Sequence, residues 1–212
     1  MRKASDNYPT PEPLARWITT EAIRLHPRPV HELSVFEPGC GDTAPFARAA
    51  AGAGAKQVKA TDIRSVSEQV RKQRLGNSLR TFDYVDFLEA ASWRQSRIYH
   101  RGFDIVLTNP PFSLALPFVE LCLEMLRPDG VAAFLLRLGF LATLQRKPFF
   151  ERHPPHEVVV LQRRPSFTGK GTDATEYGVF FWLGSRLQAL AGPGPRLRWY
   201  ENPRSEVVTP QQ

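Results

Sequence analysis

The residues Thr108-Asn109-Pro110-Pro111-Phe112 bring together groups suited to chemistry on a flat amine. The Asn109 amide donates and accepts hydrogen bonds, while Pro110 and Pro111 fix their φ angles and bring no N–H of their own. A carbonyl of Asn109 or Pro110 can therefore be held pointing out of the turn, with Phe112 following as an aromatic plate. An amino group on a planar ring fits this arrangement, because each N–H needs an acceptor and the ring needs a face to lie against. The alternative is a rigid turn whose phenylalanine belongs to the core.

What must position this turn is the run before it. Phe103-Asp104-Ile105-Val106-Leu107 reads as a buried parallel strand, which puts the turn at a strand's carboxyl end, where open α/β sheets bind ligands. Other strand ends carry further candidates. The strand Leu33 to Glu37 leads into Pro38-Gly39-Cys40-Gly41-Asp42 and a helix from Thr43 to about Ala51, and glycines so placed let backbone approach a ligand. The spacing is Gly-x-Gly with Thr43 and Ala44 following and no third glycine, which argues against a dinucleotide pyrophosphate. The strand Gln57 to Thr61 ends in Asp62-Ile63, where an acid binds ribose hydroxyls in Rossmann-type sites; its competing role is to cap a helix from Ser65 to Leu75. A strand from about Leu79 to Tyr84 is followed by Asp86-Phe87, a carboxylate and a ring suited to an exocyclic amine and a base, or to capping a turn.

Ahead of the first helix, Thr10 reads as the N-cap and Pro11 as the first helical residue, with Leu14, Trp17, Ile18 and Ile23 at helical spacing and Tyr8 on the lead-in. Leu116 to Leu126 reads as an amphipathic helix stopped by Arg127-Pro128-Asp129-Gly130. Strands follow at Val131 to Leu136, Glu157 to Leu161 and Tyr177 to Leu183, with a short helix-like segment opening at Arg146-Lys147-Pro148-Phe149-Phe150. The loop Arg163-Arg164-Pro165-Ser166-Phe167-Thr168-Gly169-Lys170-Gly171-Thr172-Asp173 is basic, glycine-rich and tipped by Phe167, suited to phosphate contact with a wedge or stacking ring, or to a plain solvated connection.

Length and composition set the frame. With 212 residues, 42% hydrophobic and 23% charged, the chain fits one α/β domain over residues 1–190, with a loop at 163–176 and a Pro-rich tail at 191–212 that is loosely ordered or draped over the core. A net charge of +7 makes a polyanionic partner reasonable. Cys40 and Cys122 form no Cys-x-x-Cys pair and no disulfide framework, and the five histidines form no zinc pattern, so no metal is expected. Without an apolar run of membrane-spanning length or a signal-peptide core, a cytoplasmic setting is the expectation.

Taken together, Tyr8-Pro9-Thr10-Pro11, Glu37-Pro38-Gly39-Cys40-Gly41-Asp42, Asp62, Asp86-Phe87 and Asn109-Pro110-Pro111-Phe112 resemble the class I S-adenosylmethionine-dependent methyltransferases, and within them the small prokaryotic and phage-type DNA adenine-N6 methyltransferases. The resemblance covers the chain to about Trp182 and draws its specificity from the order of the motifs. It implies a Rossmann-like α/β fold with a seven-stranded, mostly parallel sheet and helices on both faces. It also implies S-adenosylmethionine as cofactor, with its methionine part at Tyr8, Thr10, Pro11 and the Glu37 to Gly41 turn, its ribose at Asp62 beside Ile63, and its adenine at Asp86 and Phe87. Asn109 and the Pro110 carbonyl, stiffened by Pro111, would hold the target amine, with Phe112 stacking on its ring. Double-stranded DNA, a flipped base and contacts from Arg146, Lys147, Arg163, Arg164, Phe167 and Lys170 follow as expectations, and a homodimer is compatible with the missing target-recognition domain. Thr43 departs from the family pattern. Ribosomal RNA bases, a release-factor glutamine and a non-catalytic nucleic-acid binder are the competing readings.

Overall fold

Apolar side chains alternate along the central strands, so each strand feeds two cores at once. Val35, Val58, Ile105, Val131 and Ala133 face one side, and Phe36, Val106, Ala132 and Phe134 the other. In this computed structural model, which describes residues 8–68, 70, 79–82, 84–89, 102–167, 174–192 and 194–202, those strands are β1 (Ser34–Pro38), β2 (Gln57–Thr61), β3 (Leu79–Phe82), β4 (Phe103–Thr108) and β5 (Leu126–Arg137). The helices α1 (Glu12–Leu25) and α2 (Pro45–Gly52) cover the first face through Leu14, Ile18, Phe46 and Ala47, and α3 (Ala115–Glu124) and α4 (Lys147–Arg152) cover the second through Phe118, Val119, Cys122 and Phe149.

Three further strands, β6 (Glu157–Leu161), β7 (Tyr177–Leu183) and β8 (Arg196–Tyr200), complete an eight-stranded sheet in the order β3-β2-β1-β4-β5-β7-β6-β8. Strands β1 to β5 run parallel, while β7 is antiparallel to both β5 and β6. The order reverses between β1 and β4, and at such a switch point the connections leave in opposite directions and open a crevice at the strands' carboxyl ends. Both ends are locked there, since the Thr108 hydroxyl donates to the Pro38 carbonyl at 2.7 Å.

The expected seven-stranded sheet is corrected to eight strands. Strand β8 lies in the stretch read as a tail, where proline and polar composition hid a short alternation: Tyr200 stacks on Trp17 at 3.7 Å and Arg198 bonds Glu21 and Glu157, while Leu197 and Trp199 face outward. The helix α5 (Ser185–Ala191) before it was likewise not foreseen. Helix α3 ends at Glu124 rather than Leu126, because Leu126 already pairs with Phe103 at the start of β5. The helix expected from Ser65 to Leu75 lies largely outside the described residues.

At the amino end of β4, away from the crevice, Asp104 is fully buried and accepts from the Ser34 N–H and hydroxyl at 2.8 and 2.7 Å, from Arg127 at 2.8 Å and from Arg28. Burial alone would raise its pKa, but the Ser34 hydrogen bonds and the Arg127 charge outweigh it and hold the acid below its ordinary value. This knot joins β1, β4 and β5 at the end opposite the chemistry. No described helix is long and apolar enough to cross a membrane.

Candidate active site

The carboxyl ends of β1 to β4 and the lead-in to α1 enclose a cavity of about 270 Å³. Tyr8, Thr10, Glu37, Gly39, Cys40, Gly41, Asp62, Ile63, Phe87, Asn109 and Pro111 line it, so most of the residues expected at a cofactor site converge on one place. Nothing in sequence spacing dictates this convergence; the strand order does.

Asn109, just past the end of β4, is one of its lining residues. Its side-chain N–H groups donate to the Tyr8 carbonyl at 2.9 Å and the Thr10 hydroxyl at 3.2 Å, which ties the lead-in to the end of β4 and orients the amide. Its Oδ1 is buried with no hydrogen-bond partner among the described residues. A buried acceptor left unsatisfied costs ~1–3 kcal/mol, and folded proteins hold only a few such groups; here His26, Arg28, Thr61 and His156 carry the others among the described residues. The expected helix-capping role of Thr10 is corrected here: the structure records no side-chain cap on α1, whose capping position is Pro11, and the buried Thr10 hydroxyl serves Asn109 instead.

The glycine turn after β1 places Gly39 and Gly41 at φ +63° and +66°, the left-handed region that glycine enters freely. Ala44 occupies the place of a third glycine, buried and also left-handed at φ +43°, and it heads α2 with no side chain to cap it. The cap comes from β1. The Glu37 carboxylate accepts the Ala47 N–H at 2.6 Å and the Phe46 N–H at 3.4 Å, satisfying two of the orphan donors of the first helical turn. Burial pushes the Glu37 pKa up to about 8, the two N–H donors pulling it down and nearby Asp62 adding to the rise. Gly39→Ala is expected to combine left-handed strain of roughly 1–2 kcal/mol with a Cβ only 3.1 Å from the Phe118 ring. It should lower the melting temperature and weaken cofactor binding at least tenfold, as read by calorimetry; unchanged binding would show that this turn does not face the ligand.

Asp62 is buried and accepts from the Gly41 N–H at 2.8 Å and from the Arg64 N–H and Nε at 2.9 and 3.0 Å. It therefore braces the glycine turn rather than a helix, with room for a further donor on a carboxylate that offers about four acceptor sites. Phe87 lines the cavity and packs on Phe118 at 5.0 Å, whereas Asp86 is not among the lining residues and caps the Leu88 N–H at 3.1 Å. Phe112 does not line the cavity either: its ring sits among Tyr8 at 5.2 Å and Tyr177 at 5.6 Å, with the Arg137 guanidinium over it at 4.1 Å. Pro45, Phe46, Arg64, Val85, Ser113, Leu114 and Phe118 also line the site, and Arg137 lies over the Phe112 ring. The sequence reading missed them; lying at or just past a strand's carboxyl end was the only available signal, and it applied to Arg64, Val85 and Arg137.

Of the basic set, Arg163 bonds the Asn202 carbonyl and pairs with Glu201, Arg164 pairs with Glu176 at 2.6 Å, and Lys147 pairs with Glu151 at 2.8 Å. Exposed pairs of this kind are worth ~0–1 kcal/mol and exchange partners readily. Phe167 does not tip its loop: the ring is buried at 5.5 Å from Tyr8 and 5.1 Å from Tyr177. Lys170 lies outside the described residues. No grouping of metal-ligating side chains occurs among the described residues.

No protein-family model and no curated protein matches the sequence. Solved structures do match in fold. A candidate class I S-adenosylmethionine-dependent methyltransferase from Listeria monocytogenes superposes with a TM-score of 0.66 at 12% identity over 99% of this chain and 69% of its own. A candidate RNA methyltransferase from Pyrococcus horikoshii gives 0.61 at 18% identity over 84% and 87%. The M protein of the type I restriction enzyme EcoKI gives 0.62 at 16% identity over 86% of this chain and 45% of its own. The chain thus has the fold of the class I S-adenosylmethionine-dependent methyltransferases.

Proposed function

We propose that this chain is an S-adenosylmethionine-dependent methyltransferase acting on the exocyclic N6 of adenine in double-stranded DNA. The single observation that carries the reading is the buried Oδ1 of Asn109, without a hydrogen-bond partner among the described residues, on a residue that lines the cavity and whose amide nitrogen makes two hydrogen bonds. The rest of the cavity fits the cofactor: a glycine turn for close approach, Asp62 at the tip of β2 for hydroxyls, and Ile63, Val85 and Phe87 as apolar walls for a flat ring. When bound, S-adenosylmethionine supplies a methyl group on a sulfonium that needs no further activation.

The protein's task is then to present the nitrogen. The lone pair of an aromatic amine is delocalised into its ring, and an acceptor that draws an N–H out of the ring plane favours the tetrahedral form that can attack. Asn109 Oδ1 and the Pro110 carbonyl are the acceptors assigned this role, which is transition-state complementarity rather than proton abstraction. Holding the two reactants in line contributes roughly 7–11 kcal/mol in favourable systems. A base in a duplex cannot enter the cavity while stacked, so the target flips out. Its ring finds Phe112 by displacing the Arg137 guanidinium that covers it. The net charge of +7 and the exchangeable ion pairs of Lys147, Arg163 and Arg164 suit a phosphate backbone.

Labelled-methyl transfer offered in parallel to unmethylated duplex DNA, ribosomal RNA and a release factor, with the product identified, tests the reading. N6-methyladenine in DNA is the expected product. Label on RNA or on a glutamine amide would keep the chemistry and replace the substrate, while no S-adenosylmethionine binding by calorimetry would leave a nucleic-acid-binding protein with this fold.

A further inference from the structure

Strand β5 runs parallel to β4 and ends at Arg137, three residues past the partner of Thr108, so its carboxyl end lies at the same end of the sheet as that of β4. Two short 3-10 turns, Leu138–Leu141 and Leu144–Arg146, carry the chain out as an arch before α4 begins. Every residue from 141 to 145 is exposed, with Leu141 at 45% and Leu144 at 86%. Yet the arch has a built base. The Arg146 guanidinium donates back to the Gly139 and Phe140 carbonyls at 3.2 and 3.1 Å and lies 4.7 Å over the Phe140 ring. Phe140 in turn is buried against Phe150 at 5.7 Å and Phe180 at 6.1 Å. Arg146, expected to contact DNA, closes this arch.

Single exposed leucines are common, but here two of them stand three residues apart on one short arch whose base Arg146 closes. Charge indicates what meets them: between Arg137 and His153 stand four cations, Arg137, Arg146, Lys147 and Arg152, against the single acid Glu151. An apolar tip with basic flanks complements a stack of bases between two phosphate backbones.

We propose that the 141–145 arch is a wedge that enters a nucleic-acid duplex and fills the gap left by the flipped target, with Leu144 as the inserting side chain and Leu141 as its shoulder. This rests on the nucleic-acid reading of the active site. Extrusion of a base leaves its neighbours unstacked, and an apolar side chain in the vacancy replaces the lost contact and holds the base out. The wedge therefore acts on the equilibrium of flipping and not on methyl transfer, which makes Leu144 a positioning residue.

The test uses an oligonucleotide duplex spanning a methylated site mapped on the wild-type product, with the target either paired or facing a one-nucleotide gap in the other strand. Single-turnover methyl transfer is measured for wild type and for Leu144→Ser, an exposed substitution that leaves cofactor affinity by calorimetry unchanged. The expected result is at least a tenfold loss on the paired target and less than a twofold loss on the gapped one. Equal losses on both, or none on either, overturn the wedge while leaving the active-site reading intact. A wild-type protein that methylates no nucleic acid overturns both.

Discussion

Asn109→Ala is expected to lower methyl transfer by roughly 10²–10³-fold, the range seen when one preorganised polar contact to a transition state is deleted. Two losses combine in this substitution. The first is the acceptor: Oδ1 is buried, has no partner among the described residues and belongs to a residue that lines the cavity, so on the proposed mechanism its removal would leave the target amine planar. The second is the tether, since the amide nitrogen holds the Tyr8 carbonyl and the Thr10 hydroxyl, and both residues line the same cavity. Cofactor affinity should therefore fall too, but only severalfold, because the Glu37 to Gly41 turn and the Asp62 brace are untouched. Thr10→Val isolates the second effect: it removes one tether, keeps the acceptor and should cost far less turnover than Asn109→Ala. Single-turnover kinetics with parallel calorimetry separate the two, and a rate within tenfold of wild type for Asn109→Ala would remove Asn109 from the chemistry.

The largest pH effect is expected at Glu37. Its folded pKa of about 8 lies above the unfolded value near 4.5, so its contribution to stability is complete below 4.5 and is lost as the pH rises through 8. At ~1.4 kcal/mol per pH unit, that interval corresponds to on the order of 5 kcal/mol of unfolding free energy in the ligand-free protein. Denaturant unfolding between pH 5 and 9 should show this decline, and Glu37→Gln should flatten it. A cation brought into the cavity reverses the balance, because it favours the carboxylate that burial disfavours. S-adenosylmethionine affinity should then strengthen as the pH rises from 6 to 8.5, with proton release detectable in buffers of different ionisation enthalpy. Affinity indifferent to pH in wild type, or the same pH dependence in Glu37→Gln, would show that Glu37 only caps α2.

Much of the site was legible because the motifs after β1, β2, β3 and β4 each follow a short strand, and the run before Asn109 is almost wholly apolar. Gln57 to Thr61, Glu157 to Leu161 and Tyr177 to Leu183 have the boundaries read from the sequence: the last two are nearly continuous apolar runs, and the first alternates polar and apolar residues. Where the reading differed, a tertiary partner outweighed a local preference. Thr10 is a good capping residue by type, but Asn109 lies within reach and takes its hydroxyl. Phe167 sits in a polar loop that should expose it, but Tyr8 and Tyr177 offer a ring pocket. Leu197 and Trp199 lie in a proline-rich stretch whose short alternation is too weak to stand alone, and β6 supplies the pairing that makes it a strand.

Taken alone, the sequence determined which side chains terminate which strands and that one terminus carries Asn-Pro-Pro-Phe after a buried run, because period-two burial and proline stiffness are local properties. Only the tertiary structure decided that β4 lies against β1, and so which ends share a cavity, because pairing depends on residues that β1 and β4 carry 70 positions apart. The same long-range packing turned the Asn109 amide so that its nitrogen is satisfied and its oxygen is not, and gave Glu37 rather than any neighbour the task of capping α2.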